Sequence, residues 1–106
     1  MTNALAETIK TLATATATRL CGEALASLAV GRKAFVKGKP VMVPFSDDAR
    51  AQRKQLQLSA FVPGMQVDAI LAGAVGALST EAEADEAVAL YCATGRAVVE
   101  SIWSAS

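Results

Sequence analysis

The sequence predicts a mainly α-helical fold, a small bundle of about four helices with a short β-hairpin near residues 32–45. Three observations carry this. Hydrophobic residues make up 53% of the 106 positions while aromatic ones make up 5%, so the apolar content is mostly alanine, with leucine and valine behind it, and alanine favours helix. Apolar residues recur every three or four positions through most of the chain. That period breaks at residues 32–45, where β-type residues flank a glycine. The length fits one domain, residues 1–106, with no room for a second core. Alanine contributes little buried area, so the core is thin, and a partner or self-association is expected.

The first helix is expected from about Asn3 to Val30. Leu5, Ile9, Leu12, Thr16, Leu20, Ala24 and Leu28 form one stripe. Five threonines (Thr8, Thr11, Thr14, Thr16, Thr18) lower helix propensity because branched side chains lose rotamer freedom there. The helix therefore needs packing to persist, and Gly31 is its natural stop.

Residues 32–45 read RKAFVKGKPVMVPF. Phe35 and Val36, then Val41, Met42 and Val43, lie on either side of Lys37-Gly38-Lys39-Pro40. This pattern points to a hairpin with Gly38 in the turn. Pro40 and Pro44 require an edge or irregular strand. An extended loop is the alternative.

Ser46 is the expected cap of a second helix, with Asp47 and Asp48 in the first turn complementing its dipole. Arg50, Arg53 and Lys54 follow on a polar, exposed segment reaching about Ala60, and Pro63-Gly64 breaks the chain. The third helix is expected over roughly Gln66 to Leu78. Ala69, Gly73 and Ala77 are spaced by four, as are Ala72 and Gly76, a pattern that lets helix backbones approach closely. Thr80 with Glu83 forms a capping box for a fourth helix running to about Trp103. Its face is Ala84, Val88, Tyr91, Gly95, Val98 and Ile102. Gly95 costs about 1 kcal/mol against alanine in a helix interior, which marks a close crossing or a kink. There is no internal repeat.

Net charge is zero, so no global field favours nucleic acid or an anionic membrane. The charges are nevertheless sorted. Residues 31–57 carry seven cations against Asp47 and Asp48, a net of +5. Residues 58–106 carry Arg96 against six carboxylates, a net of −5. Cys21 and Cys92 lack CxxC spacing and sit in apolar helical pattern. They read as buried thiols in a reducing compartment. No basic start followed by an apolar run marks a signal peptide. Val67 to Leu78, the most apolar stretch, is too short for a bilayer. The expected location is the cytoplasm of the producing cell, or a virion assembled there.

The chain contains no histidine. This removes the Ser-His-Asp and Cys-His triads, the commonest general base and the usual zinc ligand. The glycines of AGAVGA lack the Lys-Ser/Thr and the preceding strand of a phosphate loop, and Cys21 has no imidazole to activate it. The cluster Glu81, Glu83, Asp85, Glu86 lacks the pattern of a calcium loop and lies where a helix start favours negative charge. The expectation is therefore no enzyme, no cofactor and no metal.

Partner binding is the expected use of the charged segments. Arg32, Lys33, Lys37 and Lys39 line the hairpin, and Arg50, Arg53 and Lys54 follow it. Contact with an acidic protein surface or with phosphates is one use of these cations. Pairing with Asp47, Asp48 and the acidic helix of the same chain is the other. The acidic cluster is a counterpart surface for a basic partner, including this basic segment in a neighbouring copy. Met42 and Phe45 on the hairpin side, and Trp103 near the C-terminus, are candidate apolar anchors. Trp103 fits the edge of the core equally well.

The stretch from Glu23 to Leu58, EALASLAVGRKAFVKGKPVMVPFSDDARAQRKQLQL, runs from an Ala/Leu helix ending at glycine through a basic hairpin to a Ser/Asp cap and a basic polar helix. In this order it resembles the lambda-type phage head–tail joining protein W family. The hairpin here is shorter and carries two prolines, and 48 residues follow Leu58 where that family ends. The resemblance implies a ring-forming, non-enzymatic component of a virion.

The reading is a structural or assembly subunit making protein–protein contacts with copies of itself or with other subunits, a component of a phage particle at the head–tail junction or elsewhere. Its first rival is a small phage-type inhibitor or regulator that binds a host protein complex. The second is a nucleic-acid-binding module using residues 32–54. No membrane contact is expected.

Overall fold

The computed structural model describes residues 1–76, 78 and 80–106 of the chain. It contains helix α1 (Asn3–Val30), strands β1 (Arg32–Val36) and β2 (Lys39–Val43), and helices α2 (Asp47–Ser59), α3 (Met65–Val75) and α4 (Glu81–Ala105). The expected helical bundle with a short hairpin is the observed fold.

Helix α1 starts at Thr2, whose hydroxyl accepts from the Leu5 N–H, and stops at Gly31, whose φ of 82° only glycine adopts without strain. A Cβ at Gly31 would lie 2.6 Å from the Val43 carbonyl oxygen. The same glycine thus ends the helix and lets the hairpin close against its own base. The loop Lys37–Gly38 has φ of 53° and 77°, the signs of a type I′ turn. The strands pair antiparallel with Phe35 opposite Pro40 and Val36 opposite Lys39. The pair flanking a two-residue loop exchanges both ladder bonds, so Phe35–Pro40 is a non-hydrogen-bonded pair. The missing N–H of Pro40 then points away from the ladder, which is why a proline fits inside this strand. Residues 32–45 therefore form a hairpin and not a loop, with Pro44 just beyond β2.

Ser46 caps α2 by accepting from Ala49, and Thr80 caps α4 by accepting from Glu83. Helix α3 starts one residue before the expected Gln66 and ends at Val75, because Gly76 takes a φ of 74° and terminates it. The small-residue stripe of α3 does not pack on another helix. Ala69, Ala72, Gly73 and Gly76 are exposed, and Ala77 lies outside the described residues.

Helices α1 and α4 run parallel along most of their length. The Met1 ammonium lies 3.9 Å from Glu86 near the start of both, and the Cys21 thiol meets Trp103 near the end of α4. Helices α2 and α3 return the chain in the opposite direction, with Lys54 at Glu100 and Arg96 donating to the Leu58 carbonyl. The core is Ile9, Ala13, Ala17 and Cys21 from α1, Leu58 and Phe61, Val67 and Leu71 from α3, and Ala87, Tyr91, Cys92 and Val99 from α4. The buried line of α1 is thus Ile9-Ala13-Ala17-Cys21-Ala24-Leu28, in which Ile9, Ala24 and Leu28 are the expected stripe residues and Thr16 is only half-buried. The expected Leu5, Leu12 and Leu20 flank it, partly buried. Small residues every four positions bring the α1 backbone close to α4, and the leucines fill the sides. Helix α4 is rotated in the same sense. Tyr91 and Gly95 are buried as expected, while Ala84, Val88, Val98 and Ile102 are half-buried beside Ala87, Cys92 and Val99.

Gly95 marks a close crossing. A Cβ there would fall on the ring of Phe61, which is 1% exposed and packs on Tyr91 with ring centroids 5.5 Å apart. The corner after α2 is pinned to α4 by this one aromatic ring.

The molecule is a rod. Its radius of gyration is 17.6 Å, against about 13 Å for a compact chain of this length. Its extents are 64 × 25 × 18 Å. Helix α1 is about 42 Å long and the hairpin adds about 17 Å, which accounts for nearly all of the long axis.

Candidate functional site

The two ends of the rod differ in charge. At one end the hairpin presents Arg32, Lys33, Lys37 and Lys39, all exposed. Among the described residues no carboxylate lies within ion-pair distance of any of the four. At the other end the start of α4 presents Glu81, Asp85 and Glu86, with Glu83 half-buried beside them and Asp68 of α3 exposed nearby. Among the described residues only Glu86 of this group has a cation within ion-pair distance, the Met1 ammonium. Most of the 64 Å long axis lies between the two groups. The Debye length at physiological salt is about 8 Å, so they do not neutralise each other within one molecule.

The strand alternation sorts the hairpin side chains. Lys33, Phe35, Pro40 and Met42 share one face, because cross-strand partners lie on the same side. That face is open to solvent, with Phe35 68% and Met42 55% exposed. The Lys33 ammonium sits 5.7 Å from the centre of the Phe35 ring. The opposite face carries Ala34, Val41 and Val43, which are half-buried. Val41, Met42 and Val43 thus divide between the faces, and Met42 is the one left to solvent.

The other cations of the basic segment belong to the body of the molecule. Arg50 lies 5.9 Å over the Trp103 ring, Arg53 lies 5.7 Å over Phe45, and Lys54 bonds Glu100 at 2.6 Å. All three cations are half-buried, not fully exposed as α2's polar sequence predicts. Their alkyl stems lie along apolar surface while the charged heads stay wet. Phe45 and Trp103 are half-buried under these stacks, and the Trp103 indole nitrogen is buried without a hydrogen-bond partner among the described residues. The structure therefore splits the sequence-predicted cations into a free set of four on the hairpin and an occupied set of three on α2.

At the acidic end a cleft of about 200 Å³ opens between α3 and α4. Leu71, Ala72, Leu78, Ala84 and Val88 line it and Asp68 stands at its rim. Sequence pattern alone does not reveal this cleft, because it exists only once Gly76 ends α3 and turns the chain towards α4. A second apolar feature, exposed Leu56, Val62 and Met65 at the α2–α3 corner, does have a sequence signal. Leu56 and Leu58 are two apart, so a helix cannot bury both on one face.

Cys21 and Cys92 are free, buried thiols. Burial pushes both above the ordinary thiol value of 9.0. The Arg96 charge near Cys92 offsets this in part at that thiol. Both are held in the unreactive protonated form. Among the described residues no group of histidine, cysteine or carboxylate side chains is placed to hold a metal ion. Among the described residues no helix is long and apolar enough to cross a membrane.

No family model matches the chain, and neither a curated protein nor a solved structure matches it.

Proposed function

We infer that the chain is a non-enzymatic assembly subunit that makes protein–protein contacts through its two unlike ends, as a component of a phage particle. The observation that supports this best is the charge-sorted rod. Exposed cations without internal partners stand at one end and exposed carboxylates at the other, on a body whose core is thin. Unlike patches on opposite ends give heterologous contacts, which close into rings or extend into filaments. The phage assignment draws on the resemblance of residues 23–58 to the head–tail joining family. In this chain those residues form the end of α1, the hairpin and most of α2.

The test is sedimentation of the tagged chain expressed in its phage-infected or lysogenic host. A subunit of a particle sediments in fixed stoichiometry with that particle. A chain that stays at the top of the gradient as a free 10.9 kDa protein contradicts the reading.

The free hairpin cations beside Phe35 favour one other reading, phosphate binding. It predicts retention on heparin that falls when Lys37 and Lys39 are replaced by alanine. Weak retention at low salt removes it.

A further inference from the structure

We propose that the hairpin of one copy docks, Phe35–Met42 face first, into the α3–α4 cleft at the acidic end of a second copy, in a head-to-tail contact. The inference rests on the reading of the chain as an assembly subunit and names the partner as the chain itself.

Three independent features meet in this contact. The first is charge. Lys33 flanks the exposed apolar face, and Lys37 and Lys39 lie at the hairpin tip. Asp68 stands at the cleft's rim, and the exposed carboxylates Glu81 and Asp85 lie on α4 within three positions of its lining residues Ala84 and Val88. Among the described residues Lys33, Lys37 and Lys39 at one end, and Asp68, Glu81 and Asp85 at the other, have no ion-pair partner, and the two sets cannot meet within one molecule.

The second is shape and polarity. Phe35 and Met42 are large apolar side chains left in water on a projecting ribbon. The cleft is lined by leucine, valine and alanine and holds about 200 Å³. A cavity of about 150 Å³ with such a lining takes up benzene, so one aromatic ring fits.

The third is area. The chain exposes 6692 Å², whereas a compact globule of this mass exposes about 5,600 Å². The excess of about 1,100 Å² is more than the roughly 800 Å² of one face of a standard interface, and about two thirds of the two faces that a head-to-tail contact takes from each copy. A hairpin seated in a cleft covers surface at both ends of every copy, as a heterologous contact does.

The experiment uses two variants of the full chain. The hairpin variant carries Lys33→Ser, Phe35→Ser, Lys39→Ser and Met42→Ser, all at exposed positions and without reversed charge, so that its hairpin does not complement a charge-reversed cleft. The cleft variant carries Asp68→Lys, Glu81→Lys and Asp85→Lys, also exposed. Far-UV circular dichroism melts establish that each is folded. Light-scattering mass is measured for the wild type, for each variant and for their equimolar mixture, over a concentration series. The wild type is expected to associate, and each variant alone to associate at least tenfold more weakly. The mixture should form a one-to-one complex of about 22 kDa, twice the chain mass, because one intact hairpin faces one intact cleft. If a variant does not fold, Phe35→Ser/Met42→Ser alone keeps the charges and must still weaken association at least tenfold.

A wild type that stays monomeric overturns the proposal. Association that neither variant weakens, or that the mixture does not restore, also overturns it, since the contact then lies elsewhere or is two-fold symmetric. A monomer that shifts a labelled oligonucleotide through the hairpin cations overturns it in favour of phosphate binding. In each of these cases the sedimentation result stands apart. A chain that still travels with a particle joins other subunits, and one that does not loses the subunit reading as well.

Discussion

Replacing Gly95 with alanine sets two effects of opposite sign against each other. In a helix interior alanine is favoured over glycine by about 1 kcal/mol. At Gly95, however, the new methyl would occupy the space of the Phe61 ring, which is buried and packed on Tyr91. Phe61 follows directly on the end of α2, so moving its ring moves the chain that leads into α3. Overpacking of this kind costs about 1–3 kcal/mol, and complete loss of a buried phenylalanine about 3–5 kcal/mol. The expected net loss is about 2 kcal/mol. For a domain of this size that is a fall in Tm of roughly 8–16 °C, read by circular dichroism melts and by the urea midpoint. Gly73→Ala is the matched control, since a Cβ there meets nothing within 4 Å, and it should stabilise by up to about 1 kcal/mol. Gly95→Ala combined with Phe61→Leu should recover part of the loss. A Gly95→Ala protein as stable as the wild type would refute the close crossing of Phe61 and α4.

Other outcomes follow from single residues. The Tyr91 hydroxyl is buried with no hydrogen-bond partner among the described residues, so Tyr91→Phe should raise stability by about 1 kcal/mol, and a loss in urea titration would show that the hydroxyl is satisfied. Lys37 adopts a left-handed conformation in the hairpin turn, which costs an ordinary side chain about 1–2 kcal/mol and asparagine less. Lys37→Asn should therefore slow amide exchange at Ala34 and Val41 several-fold, and unchanged exchange would contradict the turn assignment. Burial raises the folded-state values of Cys21 and Cys92 above 9.0, so the folded chain holds protons that the unfolded chain releases. Stability should be unaffected by these groups below about pH 9 and should decline as the pH rises beyond it. Replacing both with alanine should flatten that decline, and a decline of equal slope in the double variant would assign it elsewhere.

The sequence carried the fold wherever a local signal decided it. Thr2 aside, the capping residues Ser46 and Thr80 and the stop at Gly31 were all readable, because each acts through the few residues beside it. The hairpin was readable from Gly38 and the β-type residues around it, and Pro40 marked a strand position facing away from the ladder. What the sequence could not set was helix rotation. Leu5, Leu12 and Leu20 outweigh Ala13, Ala17 and Cys21 on any hydrophobicity scale, yet the small residues form the seam. Close approach to α4 gains more contacts there than leucine side chains held between the helices would provide. The small-residue stripe of α3 was misleading for the same reason. Spacing permits a close crossing but does not supply the partner.

The candidate site was legible in part. Segment charges showed the basic middle and the acidic end, but not that they occupy opposite ends of a rod. That depends on α1 and α4 running parallel, a topological fact with no local sequence signal. Nor did composition separate Arg50, Arg53 and Lys54, which are stacked or ion-paired on the body, from the four free cations of the hairpin. The α3–α4 cleft arises from tertiary structure alone.

The central claim is that the unlike ends of the rod join end to end, and the dimension of the joined pair tests it most directly. Small-angle scattering from the equimolar mixture of hairpin and cleft variants measures that dimension. One rod is 64 Å long, and a seated hairpin overlaps its partner by about 17 Å. The account predicts a maximum dimension of about 110 Å for the pair. A particle that stays near 64 Å, whether a lone chain or two rods side by side, contradicts it.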